Sequence, residues 1–315
     1  MSELRIFYKD AEKIKVAKTI ASLKQLDKKD IIWIDLLDVS DKTEDTLEGF
    51  LKIDIQEDEE MEEIEMSSRY IQTDDSIVAN SNFMKEDYEV EPVNFIIKNN
   101  ILVTTRDVEL STFSETVKKM FINARNFPSG YHVMVTIMET RVEKDADLIE
   151  NTTDLITELS NKINANDEMD EDILIQIKDL QEKVTNIRQN IIDKQRVISN
   201  LLKCDFIPDE LQPRLTMIIK DINSLLDYTR FGFDRLDYLQ DTFLGLVNIE
   251  QNKIIKIFTV INLIFLPPTL IASMFGMNFL DVPKMNWIEG FVVTSILMVL
   301  VIAIILIIFR KKKWL

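Results

Sequence analysis

This chain of 315 residues is poor in the residues that covalent chemistry and tight loops require: one cysteine, one histidine, six glycines and seven prolines. A lone Cys204 excludes an intrachain disulfide. With His132 the single imidazole, no conventional nitrogen and sulfur zinc site can be assembled within one chain. The glycines form no phosphate-binding loop and no nucleophile and base pair stands out, so the sequence gives little support to an enzyme. Positive charge is also in short supply: 37 Lys and Arg face 54 Asp and Glu, a net of −17. Nucleic acid is a poor partner for such a chain, and divalent cations are a natural one. Nor does an apolar signal sequence open it at "MSELRIFYKD", which agrees with a large amino-terminal part that never crosses a membrane.

What is plentiful is apolar sequence, unevenly placed. Ile257 to Gly276 are 20 residues without a charge, and Phe291 to Phe309 another 19. At about 1.5 Å per residue either run can cross a hydrocarbon layer of roughly 30 Å. The second carries only Thr294 and Ser295 as polar side chains and ends in Arg310, Lys311, Lys312 and Lys313. The first is less pure, with Asn262, Pro267, Pro268, Thr269 and Ser273, but beside the second it reads as half of a membrane hairpin. Lys253 and Lys256 precede the hairpin and the basic cluster follows it, so both termini are expected in the cytoplasm. Residues 251–315 carry seven basic and two acidic side chains, a balance of +5, so of the net −17 the first 250 residues hold −22.

Three regions follow. Residues 1–110 alternate β-rich runs ("LRIFYK", "IIWIDLL", "SIVANSNFM", "VNFIIKN", "ILVTTRD") with a helix near Thr43 to Leu51, a mixed α/β domain. Residues 111–250 are helical, in runs from "TFSETVKKMFINARNF", from about Tyr131 to Lys162, from about Asp170 to Lys203, and from Pro208 towards the membrane. Residues 251–315 form the membrane domain, with spans at about 257–276 and 291–309. Between Pro213 and Pro267 no proline interrupts the last helical run, which predicts a stalk of about 80 Å. Leu211, Leu215, Ile218, Ile222, Leu225 and Tyr228 or Thr229 repeat at three- and four-residue steps and predict a helix-helix seam. Two acidic runs, Glu57 to Met66 and Asn164 to Asp172, read as solvated surface, with cation recruitment as the alternative.

At 100° per residue from Asn252, the positions Ile255, Thr259, Asn262, Leu266, Thr269 and Ser273 share an arc of about 100°. Small polar residues can simply glue membrane helices together. A stripe running the length of the span, towards the amide of Asn278, also describes one wall of a water-containing passage. One wall encloses nothing, so several copies of the chain must each contribute one.

"FGMNF" after a polar-striped span, a short loop, a second span and a terminal "KKKWL" together resemble the CorA family of magnesium channels, whose signature is Gly-Met-Asn at the outer end of the first of two helices. "NIEQNKIIKIFTV" and "RVEKDADLIE" are similar to family segments as well, so the resemblance covers the whole chain. It implies a funnel-shaped homopentamer in the inner membrane, with an α+β cytoplasmic domain, long stalk helices and two C-terminal transmembrane helices. By the same resemblance Gly276, Met277 and Asn278 form the outer selectivity ring, with hydrated Mg2+ held at Asn278. Asn252 lies at the cytoplasmic mouth, Ile255 and Phe258 at an apolar constriction, and Leu266 and Thr269 at further pore-facing positions. Asn262 stands where small bland residues are common, and an extra polar ring there is read from the stripe. Mg2+ is expected both as transported ion and as a regulatory one that shuts the pore by bridging carboxylates of adjacent subunits, with Asp221 on the stalk as candidate. Two departures are Phe275 where tyrosine is usual and Lys284 in an outer loop where an acidic residue is common. Transport of Zn2+, Co2+ or Ni2+ stays open, since five copies of one residue can still form a ring. A non-conducting anchored sensor or scaffold is the other alternative, and an anchor has no use for the stripe.

Overall fold

The computed structural model describes residues 3–53, 55, 70–165, 172–276 and 287–311. The chain divides into two compact units, Met1–Gln240 and Asp241–Leu315.

The first unit opens with β1 (Glu3–Asp10), β2 (Lys13–Ala17), α1 (Ile20–Leu23), β3 (Ile31–Leu37) and α2 (Asp41–Leu51). It continues with β4 (Tyr70–Gln72), β5 (Ser76–Met84), β6 (Val90–Lys98) and β7 (Ile101–Arg106). These strands make one seven-stranded sheet in the order β2-β1-β3-β7-β6-β5-β4, antiparallel except where β3 runs parallel to β7. Alternation sorts its side chains. Phe7, Trp33, Phe95, Ile97 and Leu102 face one core, while their neighbours Ile6, Ile34, Ile96, Ile101 and Val103 face a second one with Leu23, Leu47 and Leu51 from α1 and α2. Because β3 is central and covered on both faces, all seven of its residues are buried, which is why "IIWIDLL" reads as an almost unbroken apolar run. Its one charge, Asp35, is fully buried and satisfied: Arg5 donates to it at 2.6 and 2.9 Å, Arg106 at 2.5 Å and Thr104 at 2.8 Å.

The five expected strands are present, "SIVANSNFM" residue for residue, as is the helix near Thr43 to Leu51. The added elements are β2, β4 and α1. "KIKVA" and "YIQ" are edge strands too short or too rich in lysine to stand out by pattern, held by pairing with β1 and β5.

Four helices follow: α3 (Ser111–Ile122), α4 (Gly130–Asn164), α5 (Asp172–Lys203) and α6 (Gln212–Gly276), with short 3-10 turns at Ala124–Asn126 and Asp209–Leu211. The start of α4 is fixed by contact. Asn99 and Asn100 close the β6–β7 hairpin with φ of 51° and 67°, a two-residue turn that asparagine tolerates. The Gly130 amide donates to the Asn100 carbonyl at 2.7 Å, and a Cβ on Gly130 would lie 2.3 Å from the Leu102 nitrogen. Only glycine lets the helix come this close.

Within this unit the predicted seam is buried, Leu211 at the end of the 3-10 turn and Leu215, Ile218, Ile222 and Leu225 on α6. The alternative at its end resolves in favour of Thr229, which is 3% exposed against 62% for Tyr228. Gly232 lies 3.7 Å from Ile156 of α4 and 3.9 Å from Val184 of α5, as measured from its missing Cβ. Arg214 donates to Glu139 at 2.8 Å and Arg188 to the Leu226 carbonyl at 3.0 Å, tying α6 to α4 and α5 respectively.

A second buried ion network joins α4, α5 and β5. Arg141 donates to Asp145 at 2.9 Å and to the Met84 carbonyl at 2.5 Å. Lys194, with no exposure, donates to the Asn190 side chain and places Nζ 3.2 Å from Asp145 Oδ2, in ion-pair range though not at a hydrogen-bonding angle. Burial pushes the Lys194 ammonium down to about 8, with Asp145 pulling the other way. Asp193 accepts from the Asn82 amide at 2.9 Å, and Asn190 donates to the Asn82 carbonyl at 3.0 Å.

The described part of the second unit is the end of α6 and α7 (Trp287–Lys311). Both are long and apolar enough to cross a membrane, and neither apolar stretch is buried. The acidic run Glu57 to Met66 and residues 166–171 of the acidic turn lie outside the described residues.

Candidate functional site

The candidate site lies on the portion of α6 in the second unit. The helix continues through Pro267 and Pro268, although each proline removes the donor for the carbonyl four residues earlier, on Leu263 and Ile264. Most side chains here are exposed, and the selective feature is where cover falls. Val260, Ile264, Pro267, Pro268 and Ile271 are partly covered. At 100° per residue they centre roughly 150° from the centre of the stripe. On α7 the covered positions Gly290, Thr294, Ser295, Met298, Val301, Ile302, Ile305 and Phe309 likewise fall on one side.

The opposite side of α6 is open. Ile255, Phe258 and Leu266 are 60%, 61% and 64% exposed, and Asn252, Thr259, Asn262, Thr269 and Ser273 are exposed with them. Phe258 sits at the edge of this side rather than on its centre line. Thr259 and Thr269 donate their hydroxyl protons to the carbonyls of Ile255 and Phe265, at 2.8 and 2.7 Å. What each threonine presents outward is therefore oxygen lone pairs, an acceptor and not a donor. Asn262 has no such backbone bond, and among the described residues its amide has no partner. At the end of α6, Gly276 is exposed, with nothing within 4 Å of the place a Cβ would take. Met277, Asn278 and Lys284 lie outside the described residues.

Gly245 and Ile249, both exposed, precede Asn252 at four- and three-residue steps, so the open side begins earlier than the stripe read from the sequence. Their spacing was the available signal, and their apolar character hid it. Asp221 is an exposed carboxylate on α6 in the first unit. Among the described residues no three His, Cys, Asp or Glu side chains gather as a metal-binding group.

The first unit also holds a cavity of about 700 Å³ lined in part by Lys119, Arg125, His132, Glu139, Glu210 and Arg214. Its side chains engage one another: Arg214 with Glu139, His132 Nε2 with Glu210 at 2.8 Å, and Arg125 with Glu12 at 3.0 Å. Burial lowers the His132 pKa against the pull of Glu210. That arrangement ties the base of α6 to α4.

The sequence profile of the family described as CorA-like Mg2+ transporter protein matches residues 28–311. The magnesium transport protein CorA of Wolinella succinogenes is 40% identical over 293 residues, covering 90% of this chain and 91% of that one. Its namesake from Campylobacter jejuni is 35% identical over 299 residues, with 90% and 91% covered. Among solved structures, the complete CorA magnesium transporter of Methanocaldococcus jannaschii superimposes with a TM-score of 0.81 at 22% identity, covering 99% of this chain and 98% of that one.

Proposed function

The chain belongs to the CorA-like Mg2+ transporter family, and from that premise we propose that α6 lines the pore of a homopentamer in the inner membrane. The protein is a membrane transporter of Mg2+, a channel and not an enzyme. Zinc transport and a non-conducting scaffold are the less favoured readings.

The observation that carries the pore is the one-sided cover of α6. The side bearing Asn252, Thr259, Asn262, Leu266, Thr269 and Ser273 is left open, while the cover falls roughly opposite. Polar groups facing hydrocarbon are costly, so in a membrane that side belongs against other copies or water. Both termini are placed in the cytoplasm, with residues 1–110 and 111–250 forming the cytoplasmic domain and stalk and residues 251–315 the membrane domain.

Mg2+ releases its water reluctantly, so fast capture calls for acceptors that take hydrogen bonds from bound water and leave the metal's own shell in place. A ring of Asn278 amides, next to Gly276 and Met277 in the sequence, meets that need without the tight hold of carboxylates. Threonine oxygens whose protons are committed to the helix continue the same acceptor surface inward. Ile255 and Phe258 form the apolar constriction, where dewetting stops a hydrated ion. Influx runs down the membrane potential, which contributes about 4.6 kcal/mol per divalent ion at 100 mV.

Closure is assigned to cytoplasmic Mg2+ bridging carboxylates between subunits, with Asp221 one of them. The first 250 residues hold −22, and they repel one another across any interface when the ion is scarce.

Reconstitution into liposomes holding a Mg2+ dye tests the pore. Uptake is expected without nucleotide and is expected to disappear with Asn278→Ala; unchanged flux in that variant removes the proposed ring.

A further inference from the structure

We propose that Asn262 forms a second amide ring within the membrane, where Mg2+ pauses with its water shell intact; this rests on the pore reading above. Asn262 lies 14 residues before Gly276, about 21 Å along the helix from its outer end. That places a primary amide in the cytoplasmic half of the span, about 7.5 Å inside its start at Ile257, where a polar side chain without a partner is still expensive. Its neighbours on the open side are Thr259 and Leu266, and its own helix does not satisfy it.

The threonine hydroxyls at 259 and 269 are satisfied by their own helix, through the carbonyls four residues earlier. An asparagine amide has two donors and an acceptor to place, and an exposed position on the open side gives it only water, an ion's hydration shell or another copy. Thr259 lies three residues below, about 4.5 Å along the axis. Because its proton is fixed on the Ile255 carbonyl, it adds a tier of pure acceptors beneath the amide tier. Octahedral Mg2+ keeps waters at different heights along the pore axis, and two acceptor tiers one turn apart can take hydrogen bonds from more than one of them. Neither tier carries a formal charge, so the ion is held and then released, as conduction demands.

Leu266, one turn further out, has no hydrogen-bonding group, so on this helix it is Asn262 and Thr259 that form the resting place in the cytoplasmic half of the span. Asn262 is thus a specificity-determining position: it favours an ion that keeps its water over one that needs direct ligation.

Full-length Asn262→Ala, Asn262→Asp and Asn278→Ala proteins in dye-loaded liposomes test this, with oligomer size followed by cross-linking. For Asn262→Ala the saturating Mg2+ flux is expected to fall about tenfold, the loss of roughly one net hydrogen bond at the resting place, with oligomer size unchanged. With Asn262→Asp, half-saturation moves to lower Mg2+ and saturating flux falls, because carboxylates hold the ion longer. Wild-type flux in Asn262→Ala overturns the proposal, as does an unmoved half-saturation in Asn262→Asp. Dissociation of the Asn262→Ala oligomer overturns it too, since the amides would then be clamping subunits to one another. If Asn278→Ala abolishes flux while Asn262→Ala does not alter it, the inner ring alone fails. If both variants conduct normally, the pore reading itself fails.

Discussion

Lys194 is buried without exposure in the first unit, beside the carboxylate of Asp145 that Arg141 also uses. Its pKa is about 8 in the fold against 10.5 for a free lysine, so between those values the unfolded chain binds more protons than the folded one. Stability of this unit therefore gains from Lys194 as pH rises from about 8 to 10.5, with a slope of up to ~1.4 kcal/mol per pH unit. In thermal melts of the detergent-solubilised full chain, Lys194→Met should remove that pH-dependent gain, and its cost at neutral pH is expected to stay below that of an unpaired buried charge, because Arg141 still pairs with Asp145. Asp145→Ala, by contrast, strands two buried cations and is expected to cost about 3–5 kcal/mol. An unchanged pH profile in Lys194→Met would show that another group sets the slope. Arg141 and Asp145 both fall in "RVEKDADLIE", so a stretch similar to family sequence has, in this fold, the physical task of pairing charge across α4, α5 and β5.

Among elements, the docking of α4 on the β6–β7 hairpin is the most sharply constrained contact. A methyl group on Gly130 meets backbone at 2.3 Å, and backbone cannot swing aside as a side chain can. Gly130→Ala is therefore expected to destabilise the first unit by at least the ~1–3 kcal/mol typical of overpacking, read as a lowered melting temperature. An unaltered melt would mean that the helix start can slide along the turn. This constraint could not be read from "FPSGYHV", because a glycine before a helix equally marks an ordinary cap. Elements with a strong pattern were legible: the β-rich runs of β5 to β7, the three- and four-residue seam of α6, and the two apolar runs. "KIKVA" was not, because at a sheet edge pairing with β1 overrides weak pattern. The stripe from Asn252 to Ser273 was legible because helical period alone puts those residues on one side. Which side of the helix receives cover was not, since that depends on packing, as did the choice of Thr229 over Tyr228.

For the whole molecule, charge is the governing asymmetry: −22 in the first 250 residues and +5 beyond them. Surface charges are screened beyond about 8 Å at physiological salt, so the closure proposed above calls for carboxylates that approach closely across subunits. Limited proteolysis of the full chain with and without millimolar Mg2+ is expected to show protection when the ion is present, and weaker protection in Asp221→Ala. Identical digestion patterns in all four conditions would argue against an internal sensor.

The single parallel pairing of the sheet has its own outcome for how the chain assembles. Trp33 lies beside Leu102, so joining β3 to β7 closes a loop of about 70 residues, whereas β5, β6 and β7 pair through short reversals. Long closures are entropically dearer and slower than local ones. The meander from Ser76 to Arg106 is therefore expected to form before β3 docks on it, so that the amino-terminal strands, although made earlier by the ribosome, arrive late at a template already set.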